Sequence, residues 1–575
     1  MESEQARTYE SLFRQSINPV MEHVRTLQKI ELVVGIPFYN EKDTISDVLQ
    51  MIENNLPERY REHTLVLAVG DPAGAGCLEA IRQLNLKVNH FEFLMNPGSN
   101  GRGASIRAIF EAAKYLVADV VLLEADVRPG EGGLDPDCVN LLLAPLRNGY
   151  DIAVAVLDRP YWGDMISKLF TVSLLEMFYS CEVSTPDSGI YSLSHDLVED
   201  CCTDIKFWGE IPRGFGIDLW LITRAIRWKK RTCEVQLGSK PTVSSLAKVN
   251  QVFKETAESL FECIKKDEDF WSKGRLILKR LDRFDYHSID RVIEISSQPP
   301  YSQVKMVASY KRSHQLYQTL YELVMPKDLN LVLKEAISMP PARFSLESIT
   351  WAGMVYYFLL SYWLAKEVRK EDLLDVLTVA FGARLASVAT RLQSLLKALK
   401  GVPAAEAGSL LFLEADAVKE GQRAAFLRLR DDFLKMWEKK ASKFEPPFTP
   451  AHALEFIPGR PLVLPKIILA SGNREILTEK IFHHLQQKYG DSFEHFIYNS
   501  LLVVKGASPA EITQQIQGHM GRLEEILNIF LPGDIYTQEG TQQVVDALFQ
   551  FFQPQKIFTV KTGILREMLL RFPPH

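Results

Sequence analysis

The chain has 575 residues, of which 46% are hydrophobic, 10% aromatic and 24% charged; such a composition excludes a disordered chain and a small disulfide-stapled scaffold. Lysine plus arginine number 66 against 72 aspartates plus glutamates, a formal charge of −6, which excludes a nucleic-acid binder that works by neutralising phosphates. The 7 cysteines show no C-x-x-C spacing and none follows Cys263, so a disulfide framework and a structural zinc site are excluded in favour of a reducing compartment, the cytoplasm. The first twenty residues are polar and lack the apolar core of a signal peptide. Between 31 and 237 the apolar runs ELVVGIPFY, HTLVLAVG, VNHFEFLM, VVLLEAD, YDIAVAVL and TCEVQL alternate with helical periodicity after Asp43-Thr44, over 73–84 and over 103–117. Alternation of this kind predicts a mostly parallel sheet with helices on both faces, a Rossmann-like α/β domain.

Beyond Lys248 the pattern turns helical, as in VFKETAESLFECIKK, HQLYQTLYELVMP and DLLDVLTVAFGARLASVATRLQSLLKALK. The apolar stretch 349–365 (ITWAGMVYYFLLSYWLA) is short for a membrane span and is interrupted by Ser361; it predicts a buried helix, with no membrane partner. Prolines at 446, 447, 450, 458, 461 and 465 prevent a continuous helix and mark a boundary. Past them, REILTEKIFHHLQQKYG, PAEITQQIQGHMGRLEEILNIFL and GTQQVVDALFQFFQ read as further helices. The expected domains are therefore 1–300, α/β; 301–440, helical; and 441–575, helical and of unassigned role. The wide apolar faces of the last segment predict either a partner surface, so a homo-oligomer, or packing on the second domain.

Ligands bind at the C-terminal ends of the strands in open α/β sheets, so chemistry is expected there. The first strand ends in Pro37-Phe38-Tyr39-Asn40-Glu41, where Glu41 is placed to accept hydrogen bonds from a ribose or base, or Asn40 and Glu41 merely begin the next helix. The run Asn96-Pro97-Gly98-Ser99-Asn100-Gly101-Arg102-Gly103 offers backbone N–H groups and a guanidinium to a phosphate at a helix start, or forms a surface turn. A buried strand then ends in Glu124-Ala125-Asp126; two acids two apart there could share a divalent cation bridging a diphosphate, although surface acids read the same way.

Together and in this order, P-x-x-N-E, the G-R-G loop and the E-x-D strand end resemble the GT-A fold nucleotide-diphospho-sugar transferases. More narrowly, the chain is similar to the retaining mannosylglycerate synthase and glucosyl-3-phosphoglycerate synthase group. Thr185-Pro186-Asp187-Ser188-Gly189 and Gly214-Phe215-Gly216-Ile217-Asp218 resemble that group's acceptor loop and Y-G-V-E segment, and 345–364 resembles its helical domain. The resemblance covers roughly 30–440 and implies a GT-A domain followed by mainly α-helical domains. It implies donor binding by Pro37, Asn40, Glu41, Asp71, Gly101, Arg102, Gly103, Glu124 and Ala125. Acceptor binding falls to Asp187, Ser188 and Gly189, and catalysis to Arg102, Asp126 and Asp218. Asp126 would hold a divalent metal, Mg²⁺ or Mn²⁺. Thr242 stands where the group has a histidine that completes the metal site, with His195 and His287 as weak substitutes.

What the resemblance implies is a retaining transfer of a hexose from a nucleotide diphosphate sugar, such as UDP-glucose or GDP-mannose, to a small hydroxy acid such as glycerate or phosphoglycerate. Two alternatives stay open. One is a polyprenyl-phosphate glycosyltransferase, pointed to by 349–365; the other is a non-catalytic nucleotide-sugar sensor, pointed to by Thr242 and the helical tail.

Overall fold

The computed structural model describes residues 4–130, 132–205, 209, 211–241, 245–272, 276–284, 301–364, 368–402 and 404–439, together with four strands beyond residue 466. The chain divides into two compact units, Met1–Glu294 with Ser361–Thr378, and Ile295–Leu360 with Val379–His575.

In the first unit all six apolar runs form strands: β1 (Leu32–Phe38), β2 (Thr64–Gly70), β3 (Asn89–Leu94), β4 (Asp119–Leu122), β5 (Ile152–Asp158) and β8 (Thr232–Ser239). Two short strands, β7 (Tyr191–Leu193) and β10 (Asp282–Arg283), complete an eight-stranded sheet of order β10-β8-β5-β7-β4-β1-β2-β3. A separate pair joins β6 (Cys181–Glu182) to β9 (Lys279–Arg280). Pairing within the large sheet is parallel except at β7, which runs antiparallel to both β4 and β5. The helices are α1 (Glu4–Val24), α2 (Ile45–Asn55), α3 (Ala75–Arg82), α4 (Arg102–Leu116), α5 (Cys138–Arg147), α6 (Val172–Tyr179), α7 (His195–Asp204), α8 (Ile217–Arg227), α9 (Leu246–Lys266) and α10 (Glu268–Trp271).

Every residue of β1 is buried, as a strand covered on both faces must be. Leu32, Val34 and Ile36 pack in one core with Val48, Leu49 and Ile52 of α2 and Leu142 of α5. The intervening residues face the other way, where Gly35 lies so close to α4 that an added Cβ would stand 2.6 Å from Ile109 Cγ2. The mixed sheet flanked by helices is the α/β architecture expected.

Helix α1 is an addition to that expectation. Phe13, Ile17, Val20 and Val24 are buried, an i, i+4, i+7, i+11 stripe, and the Arg107 guanidinium of α4 lies 4.0 Å over the Phe13 ring. The stripe is narrow in a polar segment, so composition alone concealed it.

In the second unit α11 (Gln303–Leu316), α12 (Gln318–Val324), α13 (Lys327–Ser338) and α16 (Ala404–Glu438) lie with most of α14 (Ser348–Leu364) and of α15 (Lys370–Ala398). Trp351, Val355, Tyr356 and Phe358 of α14 are fully buried; Tyr356 Oη donates to the Phe426 carbonyl at 3.0 Å and its ring stacks on Phe433. The apolar stretch is thus a core helix over Ser348–Leu364, as its length predicts. Among the described residues α15 is the helix long and apolar enough to cross a membrane, and 83% of its apolar window is buried.

The proline-dense 442–466 connection lies outside the described residues. The last segment differs from its helical expectation: β11 (Ile467–Ser471), β12 (Leu501–Lys505), β13 (Asn528–Phe530) and β14 (Thr559–Val560) pair in parallel in the order β12-β11-β13-β14. Strands of two to five residues cannot be told from helix by periodicity, and β13 falls inside a stretch that reads as helix. Phe13→Ala empties a fully buried site beneath Arg107; urea denaturation of this variant is expected to show a loss of about 3–5 kcal/mol.

Candidate functional site

Because β1, β2, β4, β5 and β8 are parallel, their C-terminal ends share one edge of the sheet. Tyr39 to Glu41 follow β1, Asp71 follows β2, Glu124 to Asp126 follow β4, Arg159 follows β5 and Lys240 follows β8. The antiparallel β7 starts where its neighbours finish, with Tyr191 paired to Leu122, so its reversed direction delivers Asp187, Ser188 and Gly189 to that same edge. Sequence reasoning placed these residues together by resemblance; the strand reversal is the physical reason they meet.

Arg102 opens α4 and lies almost wholly buried. Its Nη2 donates to the Gly189 carbonyl at 3.0 Å, its Nη1 stands 3.9 Å from Glu124 Oε1 and its Nε stands 3.5 Å from Asp218 Oδ2. Asp218 sits in the first turn of α8. Burial pushes its carboxyl above the usual range against the pull of Arg102, and its Oδ1 has no hydrogen-bond partner among the described residues. A buried acceptor left unsatisfied is costly, so Oδ1 is a ready partner for a ligand hydroxyl.

Glu124 and Asp126 meet a lysine that the sequence analysis passed over. Lys240 Nζ is 2.6 Å from Glu124 Oε2 and 2.6 Å from Asp126 Oδ1, with the residue only 8% exposed. Lys248 Nζ, from the first turn of α9, lies 3.6 Å from Asp126 Oδ2. Burial works against ionisation of Asp126, yet Lys240 and Lys248 hold its carboxyl down at about 2. Nothing about one lysine before a proline at a strand end marks it as functional.

A divalent cation does not fit this donor set. Asp126, expected as the metal ligand, accepts instead from Lys240, and the ammonium fills the notch between the two carboxylates. Among the described residues no cluster of three or more His, Cys, Asp and Glu is placed to hold a metal. Thr242 and His287 lie outside the described residues, and His195 follows β7 at the opposite edge, where its backbone N–H donates to Asp119.

The other expected residues are partly tied up with one another. Glu41 Oε2 accepts from the backbone N–H groups of Tyr39 and Asn40 at 2.6 and 2.9 Å, so Glu41 stiffens its own loop. Thr44 Oγ1 donates to the Ala125 carbonyl at 2.6 Å, fastening that loop to the end of β4. Pro37 is a buried member of β1. Asp71 Oδ2 accepts from Asn100 Nδ2 at 2.7 Å, linking the end of β2 to the glycine loop. In that loop Gly101 and Gly103 serve close packing: an added Cβ on either would collide with the backbone of Arg213 or Pro212. They belong to the loop expected to offer its backbone N–H groups to a phosphate, and the 211–213 turn packs directly against them.

Asp187 accepts from Ser167 Oγ, while Arg159 pairs with Asp164 at 3.3 Å. Burial and the neighbouring Asp164 carboxylate push Asp187 up to about 6. Ser188 is 2% exposed, with its Oγ 3.5 Å from the Ile190 carbonyl. Gly189 has φ +77°, and a Cβ there would stand 2.9 Å from Arg102 Nη2 and closer still to Glu124. The loop thus forms the wall behind Arg102, with the Gly189 carbonyl engaged by Arg102 Nη2 and Ser188 Oγ turned to the Ile190 carbonyl.

No family model and no curated protein sequence matches the chain. Among solved structures it is similar to glucosyl-3-phosphoglycerate synthase from Mycobacterium tuberculosis in complex with Mg²⁺ and uridine diphosphate, at 18% identity and a TM-score of 0.32 over 43% of this chain and 83% of that one. It is similar also to the same synthase in complex with Mn²⁺, uridine diphosphate and phosphoglyceric acid, at 18% identity and a TM-score of 0.32 over 42% and 81%. The fold assignment itself rests on the strand order and register given above.

Two outcomes follow from this geometry. An aspartate whose carboxyl is raised on folding keeps its proton while the unfolded chain loses it, so wild-type stability falls as pH rises from about 4 to about 6. In Asp187→Asn that fall is expected to shrink in denaturant titrations across the same window. Gly189→Ala forces a left-handed φ on alanine beside Arg102 and Glu124; a loss of about 1–3 kcal/mol is expected, measured by denaturant unfolding.

Proposed function

We propose that the chain is a glycosyltransferase that moves a hexose from a nucleotide diphosphate sugar to a small hydroxy acid, with glycerate and phosphoglycerate as the first acceptors to try. The observation that carries this reading is the convergence of Arg102, Lys240 and Lys248 on Glu124, Asp126 and Asp218 at the C-terminal edge of the parallel strands. That edge is where open α/β sheets take nucleotides. The sequence order P-x-x-N-E, G-R-G, E-x-D supports the same reading.

In a retaining transfer the bond from the anomeric carbon to the diphosphate oxygen breaks and its electron pair leaves with the diphosphate. The acceptor hydroxyl oxygen bonds that carbon on the same face, and its proton passes to the departing phosphate oxygen. Negative charge develops on the diphosphate as the bond breaks and before the proton reaches it, so fixed cations facing it lower the barrier. Arg102 is held charged and oriented by Asp218, Glu124 and the Gly189 carbonyl, which makes it the leading candidate for that task. Asp218 Oδ1 is the candidate acceptor for a sugar or acceptor hydroxyl. Glu41, Asn100 and Asp71 form the framework beside the nucleoside. A cytoplasmic setting belongs to the same proposal, supported by seven free, buried cysteines, as does self-association.

The test is release of nucleoside diphosphate from UDP- and GDP-hexoses with D-glycerate or 3-phosphoglycerate. Acceptor-dependent release that falls about 10²–10³-fold in kcat in Arg102→Met is expected. Absence of such release with every donor and acceptor pair would overturn the reading for these acceptors.

A further inference from the structure

Lys240 is held with unusual thoroughness for a lysine. Its backbone N–H donates to the Asp158 carbonyl at 2.8 Å, just past the register shift between β5 and β8. The residue before it is pinned too: Ser239 N donates to the Gly133 carbonyl at 2.8 Å, and Asp135 N donates to the Leu237 carbonyl at 2.9 Å. Gly238 takes φ +96° so that the chain can pass against Gly133. Pro241 then restricts the backbone from the other side. A side chain rooted this firmly on strand ends is preorganised rather than searching for a partner.

The ammonium is directed into the notch between Glu124 and Asp126, at 2.6 Å from each. It is a compact charge with three donors; two are used on the carboxylates, and no other described residue takes the third. Lys248 approaches Asp126 from the more open side at 3.6 Å, with its side chain 42% exposed. Together the two lysines bring two positive charges to two carboxylates, the same charge that one divalent ion would bring. A divalent ion in the same notch would stand against the Lys240 ammonium, and its electrostatic role there is already filled.

We propose that Lys240, seconded by Lys248, takes the place of a divalent cation at the E-x-D strand end, so that the nucleoside diphosphate is bound and its leaving charge neutralised without metal. This rests on the transferase reading above and deepens it: the two lysines and Arg102 would be the cations that face the diphosphate.

The experiment is calorimetric titration of the full chain with UDP and with GDP, in EDTA and in MnCl₂, together with titration of MnCl₂ alone. For the wild type, dissociation constants for the better nucleotide that agree within about threefold in EDTA and in MnCl₂ are expected, with no heat from MnCl₂ alone. Lys240→Ala is expected to weaken binding at least tenfold in EDTA and to regain part of it in MnCl₂, since Glu124 and Asp126 are then free to hold the ion. Lys240→Arg keeps the charge and is expected to keep most of the binding in EDTA. Wild-type binding that appears only with MnCl₂ overturns the proposal and leaves the transferase reading standing, as does unchanged affinity in a folded Lys240→Ala. No binding of either nucleotide in any condition overturns both. The wild-type titrations decide the matter even where a Lys240 variant fails to fold.

Discussion

The sheet edge is governed by a run of alternating charges, Asp218, Arg102, Glu124, Lys240, Asp126 and Lys248, that begins at the buried Asp218, passes through the buried Lys240 and ends at the partly exposed Lys248. Withdrawing Asp218 or Lys240 from solvent alone would be costly, and each is flanked by opposite sign. Two consequences follow. The members must come from separate strand ends and helix starts brought to one line, which the parallel sheet does, and their backbones must be fixed closely enough that no member relaxes back to water. The Asp158 carbonyl bond under Lys240, the Thr44 bond to Ala125 and the Gly189 carbonyl on Arg102 are the fixings.

The reversed strand β7 is part of the same constraint. Were it parallel to β4, its start would lie at the far edge with Asp119 and His195, and the Gly189 carbonyl could not reach Arg102. The left-handed φ of Gly189 and the lack of room for a Cβ there show how closely the loop is fitted to the charge run. Arg102 thus owes its orientation to a residue 87 positions away, and the local G-R-G sequence supplies only its helix start.

Much of this fold was legible beforehand. Six strands stood out as short apolar runs, most of them because parallel strands buried on both faces become continuously apolar, while the edge strand β3 is only partly buried. The core helix at Ser348–Leu364 announced itself by being apolar all round. What escaped was what lacks such contrast: β7, three residues long; α1, whose apolar stripe is thin; and the parallel strands after residue 466, too short for periodicity to separate from helix. Glu124, Asp126, Arg102 and Asp218 were expected at one site by resemblance, and the structure brings them to one edge of the sheet. Lys240 was not, because its importance lies in the pairing of β5 with β8 and in a reach from the end of β8 to the end of β4, across the strands that lie between them in the sheet order, and neither is visible one residue at a time.

The glycine loop carries the sharper lesson about motif reading. Gly101 and Gly103 match a phosphate-loop pattern, and a phosphate would account for them, yet the backbone of 212–213 presses against both and accounts for them as well. One small side chain satisfies two different demands for space, so its presence cannot distinguish them. Charged residues are more discriminating, because a buried ion must show its partner. Arg102 shows Asp218, Glu124 and Gly189, and Lys240 shows both acids of the E-x-D pair. The partners of these cations therefore constrain this edge of the sheet more closely than the glycines that frame it.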